Sequence, residues 1–153
     1  MALLGLQSAG AALVPLNTRY KGMEAADILR RSRAKVLFTV EGFLGNDYVS
    51  MLRGAVEAAS VGASPGAESG RGEPVPGLPT LLQVVILRSS EESPTGTLSL
   101  DEVASAGGPP DREELDRRVA SQDPSATSDL LFTSGTTGAP KGVVQTHAAT
   151  IRA

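Results

Sequence analysis

Apolar and polar positions along the chain follow two rhythms. Between residues 24 and 32 (EAADILRRS) they fall at helical spacing, with Ala25, Ile28 and Leu29 on one face and Asp27, Arg30 and Arg31 on the other. DYVSMLRGAVEAA (47–59) repeats that rhythm through Val49, Leu52 and Val56. Shorter apolar runs stand between the helical ones: AALVPL (11–16), KVLFTV (35–40), QVVILR (83–88), DLLFT (129–133) and GVVQT (142–146). Their length and β-branched content predict strands, and the uninterrupted runs at 35–40 and 83–88 predict strands buried on both faces. LDEVA (100–104) and REELDRRVA (112–120) predict short charged helices, the latter a surface helix because acidic and basic residues alternate at helical spacing.

Strands alternating with helices imply an α/β fold with a mainly parallel sheet flanked by helices. Residues 2–9 have helical composition without a cap, and 147–153 start a helix that stops at once. Both ends are therefore expected to cut through elements of a longer domain. SVGASPGAESGRGEPVPGLPT (60–80) is dense in Gly, Pro and Ser and is expected to be a flexible loop without packed positions, and SSEESPTGT (89–97) a lesser one.

Composition narrows the chemistry. Among 153 residues there is no Cys and one His, His147, which removes disulfides, thiolate sites, Cys nucleophiles and two-His metal sites. Absence of Cys fits a reducing compartment. A net charge of −3 argues against nucleic acid as a partner. The apolar start MALLGLQSAG lacks a basic region and is soon broken by Pro15 and Asn17, so neither a leader peptide nor a membrane span is expected, and a cytoplasmic protein is. The basic group Arg30, Arg31, Arg33 and Lys35 is read as a solvated helix C-terminus.

One segment carries chemistry. TSGTTGAPKG (133–142) follows an apolar strand and offers four hydroxyls, three glycines and Lys141 in ten positions. Glycines permit positive φ and close approach, successive amides can converge on an anion, and Lys141 adds a mobile point charge. The spacing matches neither of the common glycine-rich phosphate motifs. From composition alone the segment is either a phosphate-wrapping loop or a Gly/Thr-rich turn of a hairpin between 129–133 and 142–146. His147 is read as a structural or capping residue rather than a base, since no orienting partner is evident.

The contiguous string TSGTTGAPKG resembles the phosphate-binding signature of the adenylate-forming superfamily, which includes acyl-CoA synthetases, luciferases and peptide-synthetase adenylation domains. LQSAGAALVPLN (6–17) is similar to that family's early motif. VPLNTRYKGMEAADILRRSRAKVLF (14–38), FLGNDY (43–48) and LLFTSGTTGAPKGVVQTHAAT (130–150) look most like actinobacterial fatty-acid–CoA ligases, in particular those for ring-propanoate intermediates of steroid breakdown. The resemblance runs over the whole chain and implies that residues 1–153 are part of an AMP-binding N-terminal domain. It implies that Thr133, Ser134, Gly135, Thr136, Thr137, Gly138 and Lys141 hold the ATP phosphates. It further implies an AMP-forming ligase that joins a fatty or steroid-derived carboxylic acid to coenzyme A, using ATP and Mg²⁺. The family's adenine, ribose and metal contacts and its C-terminal lid come later than residue 153, so this chain by itself is expected to be inactive. Two other readings stand beside this one: part of an adenylation domain that loads a carrier protein, and a nucleotide-binding module without turnover.

Overall fold

The structure, a computed structural model, describes residues 2–60, 73–88, 93–109, 111–133 and 140–152. Its elements are α1 (Ala2–Ser8), α2 (Gly22–Ser32), β1 (Val36–Val40), a 3-10 turn (Phe43–Gly45), α3 (Tyr48–Ser60), β2 (Gln83–Arg88), β3 (Leu98–Ser99), α4 (Leu100–Ala106), α5 (Arg112–Ala120), β4 (Thr127–Thr133), β5 (Lys141–Thr146) and α6 (His147–Arg152). This is an α/β fold with a parallel sheet flanked by helices. The chain divides into two compact units, Thr18–Gly108 and the combination of Met1–Asn17 with Pro109–Ala153.

In the Thr18–Gly108 unit, β1, β2 and β3 form a parallel sheet in that order. Parallel neighbours need a crossover, and α3 lies in the one between β1 and β2. Val84, Val85 and Ile86 are consecutive and all buried, so both faces of β2 are covered, as the apolar run implies. β1 departs from the same expectation. It pairs with β2 alone among the described residues, and Val36 is 40% exposed.

Helix α2 opens with the Glu24 carboxylate accepting from the Lys21 amide at 2.8 Å. It ends at Arg33, which takes the left-handed conformation (φ 54°). Its buried face is Gly22, Ala26, Ile28 and Leu29, so Ala26 and not Ala25 joins the core. Gly22 lies so near α3 that a Cβ there would come 2.4 Å from the Met51 carbonyl oxygen and 2.7 Å from Ala55 Cβ. Val49, Leu52 and Val56 are the buried residues of α3, the three that helical spacing selects.

The expectation of a loop without packed positions over 60–80 is corrected in its last part. Val75 and Leu78, with Leu81 just beyond, are buried as deeply as the strand residues. They recur every three residues through a tight turn, where Leu78 N donates to Val75 O and Leu81 N to Leu78 O. Apolar burial outweighs the Pro and Gly content there. Residues 61–72 and 89–92 lie outside the described part. Arg53 fastens both neighbouring segments. Its guanidinium donates to Pro74 O at 2.8 and 3.0 Å and to Thr95 O at 2.6 Å.

At the end of β1, Glu41 turns toward the start of α3 and accepts from the Val49 amide at 3.3 Å. Burial, and then a hydrogen bond and charge repulsion with Asp47, push its carboxyl up to about 7. Asp47 moves the other way, held low chiefly by the Ser50 hydroxyl and amide.

In the second unit β4 and β5 form an antiparallel pair. The 11–16 run, expected as a strand, contributes one bridge: Leu13 pairs parallel with Asp129 on the opposite edge of β4. Leu13 N donates to Ser128 O at 2.9 Å, and Leu130 N to Leu13 O at 2.8 Å. α1 ends where Gly10 takes φ 78°, and the Gln122 side chain satisfies the freed carbonyls of Gln7 and Ser8 at 2.6 and 3.0 Å. α5 has no buried residue, and Glu114 pairs with both Arg117 and Arg118, as expected of a charged surface helix. No helix among the described residues is long and apolar enough to cross a membrane.

Candidate functional site

The segment singled out for chemistry joins the two strands of the hairpin. β4 and β5 pair Leu130 with Val144, Leu131 with Val143, Phe132 with Gly142 and Thr133 with Lys141. A hairpin, one of the two readings that composition left open, is therefore present, and its last pair is Thr133 and Lys141, both exposed. Ser134, Gly135, Thr136, Thr137 and Gly138 lie outside the described residues. The structure thus brings together the first and last of the seven candidate phosphate contacts. Gly142, the closing residue of the motif, sits under the Phe132 ring, where a Cβ would come 3.2 Å from Phe132 Cε1. Absence of a side chain lets the aromatic ring cross the strand pair at that point.

The other end of the hairpin holds a polar cluster that sequence reading did not single out. Between the pairs Thr127–Thr146 and Asp129–Gln145 the register shifts, leaving Ser128 as an extra residue on β4. This is a β-bulge. Ser128 is fully buried and Asp129 is 7% exposed. The Ser128 hydroxyl donates to the Asp129 carboxylate and lies 2.9 Å from Thr150 Oγ1. Thr150 Oγ1 also lies 3.4 Å from Asp129 Oδ2 and 3.1 Å from the Thr146 carbonyl. Every buried side-chain polar atom among the described residues has a partner. The signal in the sequence was slight: a Ser-Asp pair at the start of an otherwise apolar strand.

His147 is the first residue of α6. Its backbone amide donates to Ala126 O at 3.1 Å, and the next amide, of Ala148, to Pro124 O at 2.9 Å. Among the described residues no group of three His, Asp or Glu side chains comes together in a way that could hold a metal ion.

With the hairpin that bears the signature string described, comparison with known proteins is specific. The profile of the AMP-binding enzyme family matches residues 1–153, and the chain belongs to that family. It is 36% identical over 147 residues to a methyl-dioxo-octahydro-indenyl-propanoyl:CoA ligase of Rhodococcus jostii, covering 96% of this chain and 25% of that protein. It is 40% identical over 147 residues to the ligase of the same name from Mycobacterium tuberculosis, covering 96% of this chain and 24% of that one. A mitochondrial medium-chain acyl-CoA ligase of Homo sapiens is 33% identical over 148 residues, with 94% and 22% covered. Among solved structures, MbtA of Mycobacterium smegmatis in its apo form superposes with a TM-score of 0.60 at 25% identity, covering 95% of this chain and 21% of that one. The likeness to actinobacterial propanoate–CoA ligases read from 14–38, 43–48 and 130–150 is borne out. The chain spans about a quarter of the length of these curated relatives.

Proposed function

We propose that this chain is the part of an AMP-forming acid–CoA ligase that carries its phosphate-binding loop. The observation that carries the reading is the TSGTTGAPKG segment leaving and re-entering an antiparallel hairpin at Thr133 and Lys141. A hairpin is a stiff base, and the glycines and hydroxyls between its ends suit close approach to phosphate oxygens. In the first step a carboxylate oxygen attacks the α-phosphorus of ATP, and the bond to the β-phosphate oxygen breaks. Acyl-adenylate forms and pyrophosphate leaves. In the second step the thiol of coenzyme A attacks the acyl carbon and expels AMP. Negative charge grows on the departing pyrophosphate in the first step. Thr133 to Gly138 would hold the β- and γ-phosphates, with Ser134, Thr136 and Thr137 as hydroxyl donors and Lys141 as a cation that follows the leaving group.

The adenylate-forming reaction also uses Mg²⁺. Among the described residues no group of three His, Asp or Glu side chains could cage such an ion without the nucleotide, so no step here runs through the metal. The acid is proposed to be a fatty or steroid-derived carboxylic acid, on the strength of the named ligases that the chain resembles.

The test uses a longer form of the enzyme that contains this chain. Thr136→Val combined with Lys141→Ala should lower ATP–pyrophosphate exchange at least about 100-fold, the scale on which lost oxyanion donors act. Unchanged exchange would overturn the reading. The 153 residues by themselves should form no AMP from ATP, a fatty acid and coenzyme A. Acyl transfer to a carrier protein but not to coenzyme A would replace the CoA ligase with an adenylation domain.

A further inference from the structure

Successive side chains of a strand point to opposite faces, so Ser128 and Asp129 should not meet a common partner. They do, because the bulge at Ser128 turns two neighbours toward the same hydroxyl, Thr150 Oγ1, at 2.9 and 3.4 Å. Thr150 belongs to α6, the helix that leaves β5 directly. The cluster therefore closes a ring: β4 through the bulge, across to α6, and back along β5.

We infer that Asp129 and Thr150 are positioning residues, and that the node they form with Ser128 fixes the register of the β4–β5 hairpin so that Thr133 and Lys141 end it opposite each other. Register needs such a device here. β5 alternates poorly, with Val143 and Val144 adjacent and 47% and 62% exposed. A strand with apolar residues toward both faces gains little from one register over the next. The bulge with its buried polar partners supplies what the apolar pattern lacks. A slip of one residue would take Thr150 away and leave the buried Ser128–Asp129 pair bonded only to each other, and a buried carboxylate short of donors is costly. Thr133 lies four residue steps along the strand from Asp129, about 13 Å, and across that length a rigid pair of strands transmits the register unchanged. The register assignment stands on the hairpin alone. Only its consequence for phosphate rests on the function proposed above.

The test is NMR of the 153-residue chain with three variants: T150V, which keeps the shape and removes the hydroxyl, S128A, and T150S as the conservative rescue. Wild type should give cross-strand contacts for Leu131 with Val143 and Phe132 with Gly142. In T150V these should be joined by a set offset by one residue, and hairpin amides should exchange about tenfold faster, the effect of one lost hydrogen bond. S128A gives the second reading should T150V fold poorly, and T150S should restore the native set. A purely structural role would speed exchange without the offset set. If S128A and T150V both keep only the native pairing, the inference is overturned. Pyrophosphate titration separates the two claims. The T150V chain should bind it about tenfold more weakly, as a misplaced charge-assisted donor would. Register lost with pyrophosphate binding kept would support the node and overturn the phosphate-loop reading.

Discussion

Gly22 and Met51 are in backbone contact across two helices: a Cβ on Gly22 would stand 2.4 Å from the Met51 carbonyl oxygen. Neither atom is the tip of a flexible side chain, so one helix would have to move. In an exposed helix Ala is favoured over Gly by about 1 kcal/mol. Here the order should invert, and G22A should destabilise the chain by about 1–3 kcal/mol through overpacking. Urea unfolding reads this directly, and a raised midpoint for G22A would refute the contact.

Gly77 has a different reason to resist substitution. It takes φ 83°, and a Cβ would meet Val56 Cγ1 at 2.7 Å. G77A should cost about 2 kcal/mol, half from the left-handed backbone and half from the overlap. Combining it with V56A should recover the second half, since the obstructing methyl is gone. A double variant no more stable than the sum of the two single changes predicts would count against the packing at 73–80.

Arg53 should matter through hydrogen bonds rather than charge, because its partners are carbonyls. R53A removes donors to Pro74 O and Thr95 O and should cost about 2 kcal/mol. R53K can reach one carbonyl at a time and should fall between. Equal stability of R53K and wild type would mean that the bidentate geometry contributes nothing.

Glu41 gives the chain a pH dependence of definite sign. Its folded value of about 7 lies above the ordinary 4.5, so the native state holds a proton that the unfolded chain releases. The stabilisation is complete below about 4.5 and is lost as pH rises through about 7. Asp47, held low, acts oppositely: its contribution is present above its ordinary value of 3.8 and disappears as pH falls. Glu41 is only partly buried, so solvent screening reduces the effect to about 1 kcal/mol. E41Q should flatten the decline between about pH 5 and 8 while keeping the acid limb. A wild-type profile already flat over that range would remove the assignment.

How much of this was legible depended on how each residue is held. Val49, Leu52 and Val56 were read correctly because a helix packed along one stripe repeats its spacing in the sequence. Ala26 was missed in favour of Ala25 because the buried face runs through Gly22, set against Met51 and Ala55, and glycine carries no apolar mark. Leu13 lies in an apolar run of strand length, yet it makes a single bridge. Val75, Leu78 and Leu81 hide among prolines and glycines, since burial in a turned segment needs no regular period. β3 is two residues long and leaves no alternation to read. The ends of the candidate phosphate loop were evident, because Thr133 and Lys141 belong to a contiguous string. Ser128, Asp129 and Thr150 were not: a bulge breaks the very alternation by which strand faces are recognised.

The fastening of Pro74 by Arg53 bears on how this region can change over generations. Ser60 Oγ is bonded back to Val56 O at 2.9 Å, and Pro74 O is held from α3. Residues 61–72 connect these two anchors. Closing a longer connection costs only about 0.6 kcal/mol for each doubling of its length. On closure entropy, insertions and deletions between those anchors should accumulate readily, while the spacing from Arg53 to Pro74 and Thr95 should be kept. Relatives aligned through this stretch should differ in length far more readily than in the residues that bracket it.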